Sequence, residues 1–179
     1  MPTLEPILEK FDRAQRGFLC ACGAVSADYW NTCPREGAWS AAELVAHLMT
    51  VERSVISTAA RIVRKSPRRI PFFKQLHLPL AIVEKRVIRR KTPIPIEEDL
   101  LGSKEKMLAE LRSVRQRTLA FIVETKDRDL KDYRWHHPFL GSLSAYAWFS
   151  FVASHQIRHE NQMWEIAAAL PKVIGSLQK

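Results

Sequence analysis

The chain reads as an all-α protein, a bundle of four long helices with a long crossover between the second and the third. Three observations predict this. Apolar residues recur at steps of three and four over four long segments. Glycine is scarce, 6 residues in 179. Few runs are rich in the β-branched residues that favour strands. Apolar residues make up 46% and charged residues 26%, the balance of an ordinary globular protein rather than a disordered one. A chain of 179 residues suits one domain, residues 1–179, around a single core.

The first helix is predicted from about Leu4 to Ala27, with Leu4, Leu8, Phe11, Ala14, Phe18, Cys22 and Val25 on one face. A turn-rich stretch holding Asn31, Pro34 and Gly37 follows. The second helix has the clearest start: Ser40 and Glu43 have the spacing of a capping box, and Trp39 can staple onto Leu44. Its stripe is Leu44, Leu48, Val51, Val55, Thr58 and Ile62, and it ends near Ser66, before Pro67. Residues 67–97 form a long connection containing Pro67, Pro71, Pro79, Pro93 and Pro95, with a short amphipathic helix after Pro79 that carries Leu80, Val83 and Val87. The third helix runs from Glu98 or Ser103 to Thr125, with Met107, Leu111, Val114, Thr118 and Phe121 inward. A polar loop with His136, His137, Pro138 and Gly141 leads to the fourth helix, from about Ser142 to Leu170. Two short loops make helix pairs 1–2 and 3–4 antiparallel. The crossover makes helices 2 and 3 parallel, so helix 4 opposes helix 2.

Several classes are excluded. No stretch approaches the roughly 20 apolar residues of a membrane span. The apolar patch Gly17 to Val25 follows Glu5, Glu9 and Asp12 rather than a basic region, unlike a secretory signal. The expected compartment is therefore cytoplasmic. Three cysteines do not close a disulfide framework. Cys20 and Cys22 point about 200° apart on a helix and cannot share a metal, so all three read as buried or idle thiols.

The chemistry sits on the fourth helix. Its inner stripe reads Trp148, Val152, His155, His159, Gln162, Ile166, Leu170, so two histidines and a glutamine continue an apolar face. A buried imidazole needs a partner for each ring nitrogen, and histidines at i and i+4 point the same way and can grip one ion. His47 flanks the inner stripe of helix 2, about 10 Å along the axis from the Ser40 cap. His159 lies about 16 Å from the Leu170 end of its own antiparallel helix. The levels agree to within about a turn, so His47, His155 and His159 can converge on one divalent ion. The competing reading is that these histidines bond to one another and to water.

Trp39-Ser40, Ala46-His47-Leu48 and Glu52 lie on or beside helix 2. His137-Pro138-Phe139-Leu140-Gly141 precedes helix 4, which carries His155-x-x-x-His159-x-x-Gln162. In that order and spacing the chain resembles the DinB-like and YfiT-like metalloenzymes over nearly its whole length. The resemblance implies an up-down-down-up bundle with a three-histidine site, matched by His47, His155 and His159, that often takes zinc or nickel. Some relatives are metal-dependent thiol S-transferases or isomerases using a low-molecular-weight thiol. The departure is the basic, proline-rich connection.

Three neutral imidazoles leave an ion its full charge and an open position, a catalytic rather than a structural arrangement. Such an ion can bind a thiol as thiolate, or lower the pKa of bound water to near 7. The expected enzyme is a metal-dependent transferase acting on a small-molecule thiol and an electrophilic substrate, with hydrolase or isomerase chemistry as variants. Glu52 and Gln162 are candidates to orient a ligand, although Glu52, five residues past His47, reads equally as a surface residue. His136 and His137 lie too far along the axis from His155, about 20 Å counted from Ser142, and suit loop or capping roles.

The net charge is +9. Residues 61–91 hold eleven basic side chains against Glu84 alone, +10 in one segment, leaving −1 for the rest. The segment reads as a solvated face, a contact for nucleic acid, a contact for a membrane surface given Phe72, Phe73, Leu76 and Leu78, or a cationic rim for an acidic substrate. The first two contacts define the rival function, a non-catalytic metal-containing module for an anionic partner. Tyr146, Ala153, Ile157 and Trp164 lie opposite the histidines, and a helix apolar on two sides is either covered within the fold or meets a partner. The latter predicts a homodimer.

Overall fold

A computed structural model of the chain describes residues 3–67, 71, 79–84 and 98–171. Four long helices dominate it: α1 (Glu5–Gly23), α2 (Ala41–Ile62), α4 (Lys104–Glu124) and α5 (Ala145–Ala169), with a one-turn helix α3 (Ala81–Glu84). Of the basic segment, Arg61, Arg64 and Lys65 fall among the described residues. Its other eight basic side chains, Phe72, Phe73, Leu76, Leu78 and Val87 lie outside them. No described helix is long and apolar enough to cross a membrane.

The helix starts follow their local chemistry. Ser40 Oγ accepts from the Glu43 amide (3.2 Å) while Glu43 accepts from the Ser40 amide (2.7 Å), closing the expected capping box. Ser103 and Ser144 cap α4 and α5 by the serine half of that arrangement alone, accepting from the Lys106 and Ala147 amides. Trp39 packs against the apolar cluster that includes Leu44. The middles of the stripes are buried much as the periodicity requires, while Leu4, Leu8, Ile62, His155 and Gln162 are half-buried, as are Thr58 and Phe121, whose neighbours Ala59 and Ile122 go fully inward.

The polar loop before the fourth helix is instead an antiparallel hairpin, β1 (Arg134–His137) and β2 (Gly141–Ser144), pairing His137 with Gly141 and Arg134 with Ser144. Its strands are four residues each, too short to show an alternating pattern. Gly141 takes φ 89°, which costs a glycine little and other residues more. His137 locks the turn: its Nδ1 accepts from the amides of Phe139 (3.1 Å) and Leu140 (3.2 Å). The loop or capping role expected of this residue is the one it has.

The apolar second side of the fourth helix is covered within the chain. Ala153 is fully buried and Ile157 nearly so, in a cluster that Leu80 and Val83 pack against. The Tyr146 hydroxyl accepts from the Leu130 amide and donates to the Arg128 carbonyl. Only Trp164, 42% exposed, faces out. α5 packs on α1, α2, α3 and β2, so for Ala153 and Ile157 the apolar second side is covered within the fold. Glu84, the one acid of the basic segment, ties α3 down by accepting from Lys10 (2.7 Å) and Ser154 (3.0 Å).

At mid-height a buried arginine joins all four long helices. Arg115 of α4 forks onto both oxygens of Glu52 of α2 (2.8 and 2.9 Å). It also donates to the Phe11 carbonyl of α1 (3.1 Å) and to Gln156 Oε1 of α5 (2.8 Å). The Arg115 and Glu52 side chains are each 3% exposed, so the surface reading of Glu52 is overturned.

Two outcomes are expected. Arg115→Met strands a carboxylate in the core and should cost about 3–5 kcal/mol in urea unfolding, much of it recovered in the Arg115→Met/Glu52→Leu double variant. For His137, burial first and the neighbouring His136 second pull the pKa down to about 4 from 6.5. Its neutral ring therefore contributes full stability above pH 6.5, and that contribution is lost as pH falls towards 4, where the unfolded chain binds the proton more readily. The unfolding free energy of wild type should fall more steeply over this window than that of His137→Asn.

Candidate metal centre

Helices α2 and α5 bring His47, His155 and His159 together. His155 Nε2 lies 3.4 Å from His47 Nε2 and 3.1 Å from His159 Nε2, and one nitrogen from each ring falls within 4.8 Å of the others. The rings sit edge to face, with centroids 4.5–5.2 Å apart. His47 and His159 are buried, and His155 keeps an intermediate exposure. A groove between α2 and α4, lined by Arg53, Ile56, Glu110, Val114 and Arg117 among others, shares no residue with this cluster.

The environment keeps two of the rings, His47 and His155, uncharged. Burial pulls the His47 pKa down to about 4. Burial likewise holds His155 well below its ordinary value, reinforced by the neighbouring His159, His47 and Arg158. A neutral imidazole has one N–H and one lone pair. Gln162 Oε1, which only accepts, lies 3.0 Å from His159 Nδ1. When that ring is uncharged, the contact places its proton on Nδ1 and turns its Nε2 lone pair toward the other two rings. The Nδ1 atoms of His47 and His155 are buried with no hydrogen-bond partner among the described residues.

These residues fit a divalent ion. Three nitrogens converge in an apolar interior, and a single ring proton can bridge only one gap at a time, whereas one cation serves three lone pairs. Zinc–nitrogen bonds of about 2.0–2.1 Å in a tetrahedron put ligand nitrogens about 3.3–3.4 Å apart, close to the spacings here. Uncharged imidazoles are also the form that ligates. Among the described residues no fourth protein donor joins the three.

Gln162, expected to orient a ligand, has its Oε1 beside His159 Nδ1. Glu52 does not reach the histidines by any hydrogen bond; both of its oxygens are taken by Arg115. Gln156, next to His155 in the chain, is held by the same guanidinium. Sequence reasoning missed Arg115 and Gln156. Their only signal was a position one residue past a stripe residue, Val114 for Arg115, the same offset Glu52 has from Val51. It also missed the rings against the histidines: Trp39 beside His47 (5.0 Å) and Phe151 stacked on His155 (5.4 Å).

A mostly helical chain with three inward histidines from two helices defines a class of metal-centre scaffold. A family model of the DinB superfamily matches residues 10–163, and the chain belongs to that superfamily. It is also 28% identical over 144 residues, 79% of this chain and 85% of the relative, to "Uncharacterized protein YuaE" of Bacillus subtilis (strain 168).

The tautomer of His159 is open to measurement. In metal-free protein, imidazole nitrogen spectra should show uncharged His159 protonated at Nδ1, and Gln162→Leu should remove that preference.

Proposed function

We propose that this chain is a metal-dependent enzyme whose centre is His47, His155 and His159. Zinc or nickel is the preferred ion, and a low-molecular-weight thiol with an electrophilic small molecule are the substrates. The observation that carries the reading is the convergence of three imidazole nitrogens with no fourth protein donor beside them among the described residues. Structural zinc sites are normally closed by four protein ligands, whereas three leave a place for substrate.

The bundle is proposed to run up-down-down-up as one domain. The division of the core supports this. Phe11 and Ala14 of α1 and Ala145 to Ile157 of α5 share one cluster with Val51 to Val63 of the α2 end and Ile122 of α4. Phe18 to Val25, Ala41 to Met49, Met107 to Val114 and Met163 to Leu170 share the other. The first halves of α1 and α5 thus meet the second halves of α2 and α4.

A divalent ion held here would lower the pKa of a thiol or water at its open position and so supply the nucleophile. The chain's own residues do the rest. The three imidazoles add no charge, so the cation's field is not cancelled by its ligands. Gln162 fixes the ring of His159 by accepting from Nδ1–H. Trp39, Phe151 and the surrounding core keep bulk water from the ligand nitrogens, which strengthens electrostatic effects at the centre.

Elemental analysis tests the site: near-stoichiometric divalent metal is expected in wild type and loss of it in His47→Ala and His159→Ala. Turnover of a thiol with an electrophile, abolished in His155→Ala, tests the reaction. Bound metal without any turnover would favour a non-catalytic binding module, and metal-free wild type would end the reading.

A further inference from the structure

The three histidines are held in different ways. His159 has Gln162 on its second nitrogen, but His155 has no hydrogen-bond partner on Nδ1 among the described residues. A ligating imidazole is ordinarily oriented by a hydrogen bond at that atom. Apart from His47 and His159, which meet it on the Nε2 side, His155 is met by an aromatic ring. Phe151, one turn earlier on α5, stacks on it with centroids 5.4 Å apart and planes inclined by 25°.

Phe151 is itself fixed from behind. It meets His137 edge to face (4.6 Å, 67°) and Trp148 likewise (5.4 Å, 82°). Trp148 touches His137 (5.1 Å) and stacks on Trp135 (5.0 Å, 7°), and its Nε1 donates to the Trp135 carbonyl (3.2 Å). His137 is immobilised by the two amides on its Nδ1. A continuous wall of rings therefore runs from the hairpin to His155.

We propose that Phe151, backed by His137, is the positioning residue for His155, replacing the missing hydrogen bond at Nδ1 by the flat face of a ring. Buried rings of this kind favour specific mutual geometries beyond their apolar area, so the stack restricts the imidazole's rotation where an aliphatic side chain would not. This rests on the reading of the histidines as a metal centre. It assigns the hairpin a purpose: a short sheet outside the bundle stiffens one ligand inside it.

The test is Zn²⁺ and Co²⁺ affinity by chelator competition, with the Co²⁺ visible spectrum, on the full chain as wild type, Phe151→Leu and His137→Asn, beside thermal unfolding of each metal-free protein. Phe151→Leu should bind roughly tenfold more weakly, the low end of what removing an orienting partner costs, and its Co²⁺ bands should shift or broaden. His137→Asn can keep an acceptor for the turn but removes the ring behind Phe151, so it should move both readouts the same way by less. It also decides the matter if Phe151→Leu does not fold. Wild-type affinity and spectrum in the folded variants would overturn this proposal while leaving the metal centre intact. A wild type that binds neither ion would overturn both.

Discussion

The Arg115 guanidinium is the constraint from which the rest of the structure can be read. A buried cation has to find acceptors within a few ångströms, and this one finds them on Glu52, Gln156 and the Phe11 carbonyl, one from each of the other three long helices. Apolar stripes alone tolerate sliding, because one leucine packs much like another. Displacement of any helix by a single turn, about 5.4 Å, would strip a buried charge of a partner. The register between α2 and α5 is thereby set, and with it the levels of His47 and His155.

Within that frame the histidines occupy places that a core would ordinarily give to leucine. Burial keeps His47 and His155 uncharged, and a cluster of dry lone pairs attracts a cation. The three rings are oriented by unlike means: an amide oxygen for His159, a tilted indole beside His47, a stacked phenyl on His155. The unlike supports follow from position. Gln162 lies three residues past His159, within reach of its ring, while the side chains near the other two are aromatic.

Much of this was legible in one dimension. The Ser40–Glu43 box, the three-and-four stripes and the i, i+4 histidines are local patterns, and local geometry realised each of them. The hairpin was not legible, since four-residue strands carry too little alternation and its lock is a histidine accepting from the two amides that follow. Glu52 was ambiguous because a carboxylate beside a stripe is solvated or buried according to whether a distant cation meets it. The second apolar side of the fourth helix was ambiguous, since such a side is either covered or meets a partner; its neighbours include the short helix Ala81–Glu84, whose apolar side with Leu80 and Val83 was legible but whose docking place was not.

The sequence by itself determined the four long helices, the Ser40 cap, and the inward stripes with three histidines on or beside them, because each depends on residues within a turn or two of one another. The tertiary structure alone decided that Arg115 meets Glu52 and Gln156, that Phe151 lies flat on His155, and that Ala153 and Ile157 are covered. Those outcomes depend on which side chains from separate segments arrive at the same depth, and the low dielectric of the interior makes each such meeting matter far more than it would in water.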